Sequence, residues 1–144
     1  MAQKRDHPAA EENMNERTTT RTGLAFEIDE EHVEWQPSGV DGIDLAPLHP
    51  AEVAKGKPSQ ATVLIRMSPG VGYPRHRHLD VEEVLVLRGG YRDEFGVYKS
   101  GEYVRYEAGS VHSATALGDA RLPETDENPA CVLFASARAG ITLV

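Results

Sequence analysis

His76, His78 and Glu82 place two imidazoles and a carboxylate within seven residues. On extended backbone, residues i and i+2 project to the same face, so His76 and His78 can aim at one point. Leu79-Asp80-Val81 is long enough to turn the chain, and Glu82 opens an apolar run, Val84-Leu85-Val86-Leu87, that reads as the next strand. A two-strand ribbon with His-x-His on one arm and Glu at the start of the other gathers three donors. Imidazole with carboxylate suits a borderline divalent metal such as Fe, Mn, Ni, Cu or Zn. A fourth donor, His112, follows a stretch of the same texture, Gly101 to Gly109, and opens an expected strand from His112 to Leu117. Glu83 is the competing carboxylate. Strand parity puts Glu82, Val84 and Val86 on one face and Glu83, Leu85 and Leu87 on the other. A lone His-x-His is a weak signal, because Arg75 and Arg77 alternate with the histidines as they also would on a strand with one wet face.

The elements that must position these donors are all β. Ala61 to Met67 alternates, with Val63, Ile65 and Met67 on one face and Thr62, Leu64 and Arg66 on the other. Gly72 to His78 and Glu82 to Arg88 are the expected ligand strands. Tyr91-Arg-Asp93 turns through Glu94-Phe-Gly96 into Val97-Tyr98-Lys99, and Glu102 to Tyr106, Ala130 to Ala137 and Gly140 to Val144 complete the set. Short strands broken by glycine turns, with no helical period, argue a sandwich or barrel. His32 to Pro37 and Gly42 to Leu48 are broken by proline and glycine and read as edge strands or arms. Trp35 is expected to pack over a barrel face, and His32 and His49 to be surface or packing histidines. Lys55-Gly-Lys57-Pro58 marks a loop, and the polar stretch from Gly118 to Pro129 is an expected rim or lid. Residues 1–23 balance their charges and hold few apolar residues, so a disordered tail is expected before an ordered domain at 24–144.

Composition bounds the rest. The chain has 144 residues, 40% of them hydrophobic, and a formal net charge of −8. An acidic chain is a poor nonspecific partner for nucleic acid, which needs basic surface to meet phosphates. No apolar run approaches the ~18 residues of a membrane span, and the start lacks the pattern of a secretion leader. The expectation is a cytoplasmic protein with no membrane or nucleic-acid partner. Cys131, the single cysteine, lies in an apolar run and reads as a small core residue. Neither a nucleophile elbow nor a phosphate-cradling glycine loop is present.

Gly70-x5-His76-x-His78-x3-Glu82-x6-Gly89 resembles the first cupin motif in full. Gly101-x5-Glu107-x-Gly109-x2-His112 resembles the second, with Glu107 where the family has proline and Ala116 where it has asparagine. The stretch from Glu82 to Arg105 is similar to the cupin domain of ChrR-type anti-sigma factors and to the small dioxygenases acting on acetylacetone-like and hydroxyacetophenone-like substrates. The resemblance implies a single-domain jelly-roll barrel (double-stranded β-helix) and a homodimer. It also implies a divalent metal (Fe, Mn, Ni or Zn) on His76, His78, Glu82 and His112, and its spacing favours Glu82 over Glu83. ChrR-type proteins carry an N-terminal zinc domain with two cysteines. This chain has Cys131 alone, so a stand-alone cupin is expected.

With three neutral imidazoles and one carboxylate, an octahedral metal keeps two positions for substrate and oxygen, whereas a tetrahedral Zn(II) is closed and structural or sensory. The resemblance further implies that Glu82 can serve as catalytic base. Tyr73, Tyr103, Tyr106, Arg66 and Arg105 are further candidates for a substrate oxygen, each read first as ordinary packing or strand-surface charge. The expected function is a metal-dependent dioxygenase acting on a small oxygenated organic compound. The alternative is a noncatalytic zinc- or ligand-binding sensory cupin.

Overall fold

The computed structural model describes strands β1 (Thr18–Thr20) and β2 (Gly23–Ala25), residues 28–48 and residues 61–144. His7, His49, the loop expected from Ala51 to Gln60 and most of the expected tail lie outside the described residues. The chain divides into two compact units, Met1–Glu34 and Trp35–Val144. In the first unit β1 pairs antiparallel with β2, Thr18 opposite Ala25, a hairpin that the charge-balanced sequence does not announce. The expected boundary after residue 23 falls inside β2. Asp29 closes a turn: its carbonyl accepts the His32 and Val33 amides, and its carboxylate lies 2.6 Å from His32 Nδ1. That hydrogen bond, with the Asp29 charge, raises the His32 pKa. His32 is an exposed histidine, as expected.

The second unit is built of β3 (Gln36–Pro37), β4 (Ile43–Pro47), β5 (Ala61–Met67), β6 (His76–His78), β7 (Glu82–Arg88), β8 (Gly90–Arg92), β9 (Val97–Lys99), β10 (Tyr103–Tyr106), β11 (Val111–His112), β12 (Thr115–Ala116), β13 (Cys131–Ala137) and β14 (Ile141–Leu143). No helix occurs among the described residues, so none is long and apolar enough to cross a membrane. A six-stranded sheet runs β10-β7-β13-β5-β4-β3, and two three-stranded sheets run β11-β6-β14 and β12-β8-β9. Every pairing is antiparallel. Proline-bearing β3 lies at the sheet edge, where a missing N–H costs no ladder bond.

Alternation sets the core. Val84 and Val86 of β7 are buried, while Leu85 and Leu87 are exposed on the other face. β13 is central, and its Cys131, Val132, Leu133 and Ala135 are all buried. Ile43, Met67, Tyr91 and Tyr106 join the same cluster. Each fully buried Val or Leu side chain contributes roughly 1.5–3 kcal/mol. Trp35 lies under the Arg66 guanidinium, 4.7 Å from the ring centroid, and Arg66 pairs with Asp44 at 3.0 Å.

Two expected strands are shorter than their sequences suggest. The first ligand strand is regular only from His76 to His78, because Pro74 has no N–H for a ladder. The strand expected from His112 to Leu117 is two pieces, β11 and β12. Between them the Ser113 amide and hydroxyl donate to the Glu94 carboxylate rather than to a neighbouring strand. None of the residues of the segment Gly118–Pro129, expected as a rim or lid, lines the cavity described below. The segment closes on itself through buried Asn128, whose Oδ1 accepts the Asp119 amide and whose Nδ2 donates to the Asp119, Leu122 and Pro123 carbonyls.

Candidate metal centre

Register delivers the donors. β11 pairs with β6 so that His112 stands opposite His76, and directly opposed residues hold their side chains within contact distance. β10 pairs with β7 so that Tyr106 stands opposite Glu82. The turn before β11 is held by the Gly109 amide donating to the His78 carbonyl at 2.8 Å and the His78 amide donating to the Ser110 carbonyl at 2.9 Å. Gly109 has φ +84°, a left-handed conformation that suits glycine. His76, His78, Glu82 and His112 meet there, one ligand atom from each lying within 4.8 Å of the others. All three histidines are buried. The two departures from the motif stay clear of the donors: Glu107 is exposed and pairs with Arg105, and Ala116 is a buried residue of β12.

Hydrogen bonds fix the rings. His76 Nδ1 donates to the Pro74 carbonyl at 2.8 Å, since a carbonyl can only accept. His112 Nδ1 lies 2.9 Å from Asp93 Oδ2. Burial pushes the Asp93 carboxyl up, but hydrogen bonds from Tyr106, His112 and the Phe95 amide outweigh it and hold the pKa low. An ionised Asp93 makes His112 Nδ1 a donor too. Both Nε2 atoms then carry lone pairs, yet they face each other at 3.0 Å. Burial, with the neighbouring imidazoles, lowers the His76 pKa despite the Pro74 bond, which argues against a shared proton as the remedy. A metal ion held between them would satisfy both lone pairs.

His78 repeats the pattern. Its Nδ1 is 2.8 Å from Glu82 Oε2, but outside hydrogen-bond geometry, and neither ring nitrogen finds a partner among the described residues. Its ring is held by stacking on Tyr106, centroids 5.0 Å apart and planes 4° from parallel. Buried unpaired nitrogens are costly, and coordination would satisfy one. The donor set therefore fits a divalent metal.

A cavity of about 220 Å³ lies between the sheets and reaches this group. His76, Glu82 and His112 stand in its wall with Tyr73 and Tyr106, and the remainder is mainly aliphatic, including Val63, Ile65 and Leu133. Burial, then the Glu82 charge, raises the Tyr73 pKa. Glu82, the carboxylate favoured by the family spacing, is the one grouped with the histidines, while Glu83 accepts a hydrogen bond from exposed Tyr103. Tyr73 and Tyr106 line the cavity, as the sequence allowed. Tyr103, Arg66 and Arg105 do not; their strand positions point them to the outer face, where Arg66 holds Asp44 and Arg105 holds Glu107. Asp93 was missed. Its sequence context, Asp-Glu-Phe-Gly, reads as a turn, and Oδ1 does cap that turn, but nothing local betrays what Oδ2 touches.

An antiparallel β barrel core with three histidines and a glutamate gathered at one end of an apolar cavity defines a cupin. The family model of the ChrR cupin-like domain matches residues 25–123, and the chain belongs to that family. Among solved structures, the complex of Rhodobacter sphaeroides SigE with the anti-sigma ChrR aligns with TM-score 0.59 at 23% identity over 76% of this chain. The chain spans 50% of that solved chain. An acetylacetone dioxygenase from Acinetobacter johnsonii aligns with TM-score 0.61 at 13% identity, covering 83% of this chain and 76% of the other. A structure described as a putative acetylacetone dioxygenase from Methylibium petroleiphilum PM1 gives TM-score 0.61 at 18% identity, over 83% and 81%. These likenesses establish the all-β cupin jelly-roll fold. No curated protein matches the chain.

Proposed function

We propose that His76, His78, Glu82 and His112 bind one divalent metal ion, Fe, Mn, Ni or Zn, and that the protein is a metal-dependent dioxygenase acting on a small oxygenated organic compound. The observation that carries this reading is the apolar cavity of about 220 Å³ walled by three of the four donors. An engineered cavity of about 150 Å³ binds benzene, so this one suits a compound somewhat larger than a single ring. The metal, when bound, supplies a chelating centre and oxygen activation. The chain supplies the rest. The aliphatic walls exclude water and orient the compound. Tyr73 offers a hydroxyl from the wall. Glu82, the one carboxylate in the cavity wall among the described residues, would leave the ion to take a proton from the bound compound. The two likenesses to acetylacetone dioxygenases support the reaction class. Exposed Leu85, Leu87 and Tyr103 on the outer sheet face support a homodimer, which light scattering would test. The protein is proposed to be cytoplasmic.

The test begins with metal content of protein purified without added metal or affinity histidines, beside a His76→Ala/His112→Ala double variant. Near-stoichiometric metal that the variant loses is expected, followed by oxygen uptake with a panel of small diketones and hydroxyaryl ketones. No metal in either protein, and none on reconstitution, would overturn the metal centre. Bound metal without oxygen uptake would favour the second reading, a noncatalytic zinc- or ligand-binding sensory cupin. The family match and the likeness to an anti-sigma complex support that alternative.

A further inference from the structure

We propose that Asp93 is a positioning residue for the metal group: it fixes the tautomer of His112 so that Nε2 presents its lone pair to the metal. The inference rests on the metal reading above and extends it. The Asp93 side chain is fully buried. Its Oδ1 accepts the amides of Phe95 at 2.8 Å and Gly96 at 3.1 Å and the Tyr98 hydroxyl at 3.4 Å. Its Oδ2 accepts the Tyr106 hydroxyl at 2.6 Å and His112 Nδ1 at 2.9 Å. Two backbone amides, which can only donate, hold Oδ1, and the Tyr106 hydroxyl and His112 Nδ1 meet Oδ2. A carboxylate anchored by amides at Oδ1 presents Oδ2 to His112 as an acceptor, and against an acceptor Nδ1 donates. The same oxygen that holds His112 holds Tyr106, whose ring stacks on His78, and the Tyr91 hydroxyl joins Tyr106 at 2.7 Å. One carboxylate therefore orients one donor ring directly and a second through Tyr106. Partners of this kind, outside the ligands themselves, typically matter 10–100-fold in metal affinity.

Asp93→Asn is a discriminating change because the turn dictates how the amide sits. The Phe95 and Gly96 amides require the carbonyl oxygen at the Oδ1 place. The new NH2 group must then occupy the Oδ2 place and donate to His112 Nδ1. The imidazole proton moves to Nε2, where it points into the metal position. Long-range ¹H–¹⁵N NMR on the metal-free protein should show His112 protonated on Nδ1 in the wild type and on Nε2 in Asp93→Asn. Co(II) titration followed by absorption should show binding about 10–100-fold weaker in Asp93→Asn, with Glu94→Gln, in the same turn, close to wild type. An Nε2–H tautomer in the wild type, or unchanged Co(II) affinity in Asp93→Asn, would overturn the proposal. Equal weakening in Asp93→Asn and Glu94→Gln would also overturn it, since that marks general damage to the turn. If Asp93→Asn does not fold, the wild-type tautomer still decides. If the wild type takes up no Co(II), the metal reading fails, while the tautomer measurement tests the Asp93–His112 link independently.

Discussion

Replacing His78 by leucine should have opposite consequences with and without metal. His78 is fully buried; neither ring nitrogen makes a hydrogen bond among the described residues, and Nδ1 stands 2.8 Å from Glu82 Oε2. A buried unsatisfied polar group costs about 1–3 kcal/mol. His78→Leu removes that cost with a side chain of similar bulk. It also removes the stacking on Tyr106, worth about 0.5–1.5 kcal/mol. The net change in chelator should lie between about −0.5 and +2.5 kcal/mol of stability. With metal the sign reverses. A ligand present at a thousand times its Kd stabilises the native state by about 4 kcal/mol. For a domain of this size that raises the wild-type Tm by roughly 12–18 °C. The variant, short of one donor, should gain little of this. The assay is thermal and denaturant unfolding of both proteins, in chelator and in excess divalent metal. A variant more than about 2 kcal/mol less stable than wild type in chelator would refute the orphaned-nitrogen argument. A variant that kept the full metal-dependent rise in Tm would refute the assignment of His78 to the donor set.

Three further outcomes follow from the same structure. Burial pushes the Cys131 thiol up to about 12, so a thiol reagent at pH 8 should leave the native protein unlabelled and label it fully on unfolding. Gly89 sits at φ +66°, and a Cβ there would meet the Ala130 carbonyl oxygen at 2.5 Å; Gly89→Ala should cost about 3 kcal/mol in denaturant titration. Hydrogen bonds from the Ser113 hydroxyl and amide lower the Glu94 carboxyl to about 2. Its contribution is therefore complete above the ordinary carboxyl range, near pH 4.5, and is lost as pH falls toward 2. The Tm gap between wild type and Glu94→Gln should be open at pH 6 and close progressively below pH 4.5; a gap that widens on acidification would contradict the sign.

The donors were legible because their information is local. His76 and His78 are two apart on one strand, parity puts Glu82 and Glu83 on opposite faces, and the motif spacing favours Glu82. The apolar alternation of β5 and β7 likewise named its own inner face. What failed was whatever depends on a partner far along the chain. Arg66 reads first as strand-surface charge, and so it stands, but its partner Asp44, across from it on β4, is invisible in the sequence. Asp93 is a turn aspartate by its neighbours, and its second role depends on a strand nineteen residues away. The break between β11 and β12 arises because Glu94 captures the Ser113 amide. The Gly118–Pro129 segment looked like a lid because it is polar and long; the single amide of Asn128 gathers it into a closed loop.

The catalytic and sensory readings share one geometry, which decides how they must be separated. His76 and His78 come from β6 and His112 from β11 of one sheet, while Glu82 comes from β7 of the six-stranded sheet. A metal on these donors ties the two sheets together, and a compound in the cavity touches both. Either function therefore predicts metal-linked stability and compound-linked stability, and neither measurement discriminates. Affinity for a diketone would be equally uninformative, because an aliphatic pocket beside a Lewis acid binds such a compound whether or not it reacts. The readings part only at the fate of the bound compound. A catalyst must consume oxygen with a change in the compound, and loss of the Glu82 carboxylate should slow that change. A sensor must return the compound unaltered while the packing of the two sheets shifts. Product analysis under oxygen is thus the measurement on which the assignment turns.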